Sequence, residues 1–205
     1  MQAYLIPLGF RCNAAMVTNA IVNQPRFVFD WTQMNIQSMI KVLELQPSEI
    51  RVFWIQYFAH LNKDKRHTET NSWFPHDTFI TEDDMSETVE KYIRRTKRLH
   101  QLFNIDAHII FLIFHGYPQA DSLEKSKEIM SAILGKKSTN VSFILCNASY
   151  LNEENANVYL LHELFVSTDD EVTDWDDLTK RVTSRVKLFL EEKHIEITPF
   201  LADAL

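Results

Sequence analysis

The sequence predicts an α/β fold, a layered domain with a largely parallel central sheet flanked by helices. Three observations carry that prediction. Short, almost wholly apolar runs occur at 3–8, 107–114 and 141–146, and such runs suit strands buried on both faces. Between and after them lie longer stretches whose apolar residues recur at helical spacing. The two kinds of segment alternate along the chain, which is the rhythm of parallel strands joined by helical crossovers.

Residues 3 to 8 read as a strand ended by Gly9, which allows a turn that residues with a Cβ resist. A helix is expected from Cys12 to Val22, with Ala15, Thr18, Ile21 and Val22 near one face, ended by Asn23-Gln24-Pro25. Arg26 to Trp31 is a compact aromatic segment holding one acid, Asp30. Asn35 to Leu45 reads as a helix capped by Asn35. Ile50 to Leu61 reads as another, its face made of Ile50, Phe53, Trp54, Tyr57, Phe58 and Leu61, although aromatics also suit strands. Residues 62–72 are a polar loop by composition. Glu82 to Phe103 is a helix that Thr81 can cap, with acids in its first turn and basic residues toward its end. A strand at 107–114 leads into a turn at 115–118. Ser122 to Leu134 is then a helix closed by Gly135, 141–146 a strand, 147–157 a polar loop, 158–166 a third central strand carrying His162, and 175–192 a closing helix. We expect a single domain over 1–205, with 46–81 an aromatic-rich insertion carrying part of the site.

Composition removes several function classes. The 205 residues are 45% hydrophobic and 24% charged, ordinary for a globular protein. No apolar run approaches the roughly 20 residues that span a bilayer, so no membrane partner and a cytoplasmic setting are expected. A net charge of −7 argues against a general nucleic-acid binder, since phosphate binding relies on clustered Lys and Arg. The clusters Lys63, Lys65, Arg66 and Arg94, Arg95, Lys97, Arg98 are local exceptions that read as solvated faces. The only two cysteines are Cys12 and Cys146, which rules out a cysteine-built zinc site. With three glycines, at 9, 116 and 135, no Gly-rich phosphate loop can form. No cofactor or metal is expected.

Chemistry concentrates at three places. Cys12 sits where the first strand hands over to a helix, where unpaired N–H groups and the helix dipole favour a thiolate. An inert core cysteine fits the same position. Cysteine catalysis also needs a base and an orienting group. His76, after a proline in Trp73-Phe74-Pro75-His76-Asp77, is the preferred base; the alternative is a histidine that merely packs. Asp77 in an extended segment would point away from its neighbour, which makes Asp30 the better orienting acid. Asp77 otherwise reads as a turn former or cap. Backbone N–H groups at the helix start, with Arg11 or Asn13, are candidates for stabilising an oxyanion, and Trp31 for lining the substrate site. His115 and His162 are alternative bases, because carboxyl ends of parallel strands are where such sheets place ligands. Cys146 reads as structural.

In order, Leu8-Gly9-Phe10-Arg11-Cys12, Phe29-Asp30-Trp31 and Phe74-Pro75-His76-Asp77 resemble the motifs of a family of papain-like cysteine peptidases found in bacteria and large DNA viruses. Its members share a Leu-Gly-x-x-Cys opening, a Pro-Phe-Asp-Trp segment and a later His-Asp. The resemblance covers 5–77 and fades to the rhythm of strands and helices and the Trp175-Asp176 region afterwards. Val28 stands where the family has its proline. The resemblance implies Cys12 as nucleophile, His76 as base, Asp30 or Asp77 as orienting acid, and a peptide or protein substrate, met in the host cytoplasm if the chain is viral. Two other classes fit the scaffold: a Gly-Asp-Ser esterase-like enzyme with a late histidine such as His162, and a non-enzymatic interaction module.

Overall fold

A computed structural model describes residues 3–9, 12–79, 81–114, 122–146, 158–160 and 175–200. It is a mixed α/β structure. Strands β1 (Ala3–Gly9), β2 (His108–Phe114), β3 (Val141–Cys146) and β4 (Val158–Leu160) form one parallel sheet in the order β1-β2-β3-β4. Around them lie α1 (Asn13–Ile21), α2 (Ile36–Glu44), α3 (Ile50–Ala59), α4 (Glu82–Leu102), α5 (Ser122–Lys136) and α6 (Trp175–Glu192). Among the described residues no helix is long and apolar enough to cross a membrane.

The two-residue period of the strands sorts their side chains into two cores. Tyr4, Ile6 and Leu8, Ile109, Phe111 and Ile113, and Val141, Phe143 and Leu145 join the buried faces of α2, α3, α4 and α5. Ala3, Leu5, Ile110, Leu112, Phe114 and Ile144 face the other way, against Ala14 and Val17 of α1 and Val182, Val186 and Leu190 of α6. Both faces of the sheet are therefore covered, which is why its strands read as continuous apolar runs. The free edge of β1 is closed as well. Gln24 donates from Nε2 to the Leu5 carbonyl at 2.7 Å, and the Thr198 N–H donates to the Ala3 carbonyl at 2.8 Å. These bonds occupy groups that would otherwise template another chain.

Local chemistry explains the helix boundaries. Asn35 accepts the Ser38 N–H at α2, and at α4 Thr81 and Asp84 form a reciprocal capping box. The aromatic run 50–59 is a helix because that period buries Phe53, Trp54, Tyr57 and Phe58 together. Trp54 then donates from its indole to Thr96 Oγ1 of α4 at 2.9 Å. One expectation is corrected: α5 does not close at Gly135 but runs through it to Lys136. A Cβ at Gly135 would meet nothing within 4 Å, and glycine accepts the helical conformation as readily as the left-handed one. The proposed turn at 115–118, the loop at 147–157 and the part of the third central strand beyond Leu160 lie outside the described residues.

Candidate functional site

Gly9, Phe114 and Cys146 lie in register across β1, β2 and β3, so the chain leaves β1 at the carboxyl edge of the sheet and enters α1. Cys12 occupies the position before the first residue of that helix. Its backbone is already helical (φ −60°, ψ −18°), its carbonyl accepts the Met16 N–H at 3.0 Å, and its half-buried thiol makes no capping bond. Asn13 is buried and donates from Nδ2 to Thr179 Oγ1 of α6 at 3.0 Å. That bond gives Asn13 an anchoring role, holding the start of α1 against α6.

The Phe-Asp-Trp segment is a tight turn. The Asp30 N–H donates to the Phe27 carbonyl at 3.2 Å, with Phe27, Val28 and Phe29 buried around it. Val28 takes the proline position of the resemblance without opening this turn. The Asp30 carboxyl is 2% exposed and its Oδ1 has no hydrogen-bond partner. Burial pushes its pKa from 3.8 up to about 7, against a backbone hydrogen bond with Phe27 and the attraction of Arg95, Arg26 and Arg98. Trp31 follows with φ 63°, the left-handed region that a bulky side chain enters only when its surroundings hold it there. The Arg26 guanidinium lies 5.5 Å from its ring centroid, and the His76 ring meets it at 5.1 Å edge to face.

His76 comes from a second tight segment laced to the first. Gln33 and Trp73 exchange backbone hydrogen bonds, N–H of Gln33 to the Trp73 carbonyl at 2.9 Å and the reverse at 2.7 Å. Beyond them Phe74 is fully buried and the Asp77 N–H closes a turn on the Phe74 carbonyl at 3.3 Å. His76 is exposed inside that turn, whereas Asp77 is 4% exposed. Asp77 Oδ2 accepts the Tyr92 hydroxyl at 2.7 Å and its Oδ1 pairs with the Lys91 ammonium, both from α4. Burial first and then Asp77 raise the Tyr92 pKa well above its usual value, so the phenol stays a donor. Lys65 adds a bond to the Pro75 carbonyl at 3.2 Å. The turn is thus pinned from two sides with the imidazole outward.

The structure therefore brings Trp31 and His76 into contact, sets Asp30 among the arginines, and commits Asp77 to α4. No hydrogen bond joins Cys12 to His76 among the described residues. Arg11, His115 and His162 lie outside those residues. Sequence reasoning missed Lys91, and Lys65, expected on a solvated face, instead bonds the Pro75 carbonyl. Nothing local to α4 signals an acid arriving from the 74–77 turn. No group of three or more His, Cys, Asp or Glu among the described residues could hold a metal. Comparison with known protein families, with curated proteins and with solved structures returns no match.

Proposed function

We propose that the chain is a cysteine-dependent hydrolase that cleaves an amide, isopeptide or ester bond of a peptide or protein substrate, in the cytoplasm. The observation that supports this reading most is the ring contact of Trp31 with an exposed His76, which unites two of the three sequence motifs. The third contributes a half-buried thiol at the opening of α1. In the proposed reaction the Cys12 sulfur attacks the substrate carbonyl carbon while His76 accepts the thiol proton. His76 returns that proton to the leaving nitrogen or oxygen as its bond to carbon breaks, leaving a thioester. Water then adds to the thioester with His76 as base, and the freed acid departs as the thiol is restored. N–H groups in the first turn of α1 offer bonds to the oxyanion. Asp30 is the orienting acid in this scheme, since both oxygens of Asp77 are already engaged.

The test compares the two thiols. Iodoacetamide should alkylate Cys12 far faster than Cys146 at neutral pH, and Cys12→Ala should abolish turnover of an activated ester or a ubiquitin-derived probe. His76→Gln should cost on the order of 100-fold or more in kcat/KM. Equal, slow alkylation of both cysteines, or full turnover by Cys12→Ala, would end the enzyme reading.

A further inference from the structure

A cavity of about 260 Å³ opens between α2, α3 and the 60–72 loop, bounded by Lys41, Phe53, Tyr57, His60, His67 and Glu69 among others. Its donors and acceptors are unevenly committed. The hydroxyls of Ser38, Tyr57, Thr70 and Ser72 form a closed set. Tyr57 Oη lies 2.9 Å from Ser38, 2.9 Å from Thr70 and 2.8 Å from Ser72, and Thr70 lies 3.0 Å from Ser72. Tyr57 faces Ser38 and Ser72 as donor and Thr70 donates to Ser72, so the hydroxyls of this wall are engaged with one another.

His67 is different. Its ring is buried against Tyr57, with centroids 4.1 Å apart, and its Nδ1 accepts the N–H groups of Glu69 at 3.2 Å and Thr70 at 3.3 Å. An acceptor Nδ1 fixes the proton of the neutral ring on Nε2. Desolvation pushes the His67 pKa below its usual value, which keeps the ring neutral and this arrangement intact. Among the described residues nothing accepts the Nε2–H, and His67 lines the cavity. Lys41 supplies the cation of this wall. Its ammonium lies 5.6 Å from the Phe53 ring centroid and has no ion-pair partner among the described residues. The one acid on the wall is the exposed Glu69, whose charge acts on His67.

We propose that this cavity binds a small organic carboxylate, whose oxygens accept the His67 Nε2–H and the Lys41 ammonium while its apolar part rests on Phe53. A neutral acceptor would leave the ammonium unanswered, and charge-assisted bonds are the stronger ones. The volume lies just below the usual range for drug-sized ligands, which limits the occupant to a small acid. This site is independent of the hydrolase reading, since it shares no residue with it.

The test titrates the full chain with sodium benzoate, and with benzamide as its neutral isostere, by heteronuclear NMR. Benzoate should shift the amides of Glu69 and Thr70 saturably, with Kd on the order of 1 mM, and benzamide should bind about tenfold more weakly. His67→Phe keeps the ring contact but removes the Nε2–H, and should weaken benzoate about tenfold. Lys41→Met and Glu69→Gln change exposed side chains and keep the proposal testable if His67→Phe fails to fold. The first should weaken benzoate severalfold and the second should tighten it. Equal binding of benzoate and benzamide, or benzoate binding indifferent to both exposed variants, would overturn the proposal.

Discussion

Asp30 and Asp77 are buried to nearly the same degree, at 2% and 4% exposed, in neighbouring turns that the Gln33–Trp73 backbone bonds tie together. Their fates differ because of what reaches them. Asp77 receives a hydroxyl and an ammonium from successive residues of α4, so its charge is answered within bonding distance. Asp30 has one backbone hydrogen bond, with Phe27, and three arginines in its field, but no partner on Oδ1, and burial dominates. What burial costs an acid depends on which donors reach its oxygens. A hydroxyl and an ammonium occupy both oxygens of Asp77, whereas a single backbone bond and more distant arginines offset the burial of Asp30 only in part.

The largest effect expected from breaking this contrast is at Asp30. A carboxyl whose folded pKa is raised, from 3.8 to about 7, leaves the native state holding more protons than the unfolded chain between those values. Stability is then greatest below the unfolded pKa and falls as pH rises through the folded one. The full difference is up to about 4 kcal/mol. Asp30→Asn should remove this slope, leaving stability near pH 4 almost unchanged and raising it at pH 8. Under the hydrolase reading the same variant should lose activity above pH 7, where the wild-type acid is ionised and can orient His76. Urea midpoints across pH read the first effect and kcat/KM profiles the second. Parallel stability–pH curves for wild type and variant would show that Asp30 titrates as an ordinary surface acid.

Asp77→Ala should have a smaller effect on stability, and in the opposite direction. It strips the acceptor from the fully buried Tyr92 hydroxyl and from Lys91, whose side chain is 29% exposed and can still reach water. A loss of about 2–3 kcal/mol is expected, from the urea midpoint, because hydrogen bonds to a charged acceptor are worth about that. The variant also frees one side of the turn that holds His76, so its NMR signals should broaden or shift. A loss below 0.5 kcal/mol, or an unchanged His76 signal, would mean that Lys65 and the Gln33–Trp73 bonds hold the turn unaided.

Much of this frame was legible in the sequence, for identifiable reasons. Strand runs buried on both faces, the Asn35 and Thr81 caps and the aromatic face of 50–59 are signals that a residue and its near neighbours carry together. Gly135 misled because a glycine near the end of a helical pattern marks a stop only when the chain must turn there, and here it need not. The site was legible as motifs but not as partnerships. That His76 would face outward and Asp77 inward follows from Tyr92 and Lys91, which lie on another element and bear no local mark of the contact. His67 was lost for the same reason, since the polar loop around it gives no hint that its ring packs on Tyr57.

The smallest expected effect bounds the comparison from the other side. Arg51 of α3 and Glu90 of α4 form an ion pair at 2.6 Å, but their side chains are 59% and 39% exposed. Both ions keep most of their water, so pairing replaces little and immobilises two long side chains. A double-mutant cycle with Arg51→Ala and Glu90→Ala should give a coupling no larger than about 0.5 kcal/mol, falling further in high salt. The α3–α4 contact is held instead by its apolar packing and by the Trp54–Thr96 bond. The same two helices thus carry an exposed pair and border a buried one, Lys91–Asp77. A surface coupling as large as the loss in Asp77→Ala would show that proximity, not solvent exclusion, sets the strength of charge pairing along α4.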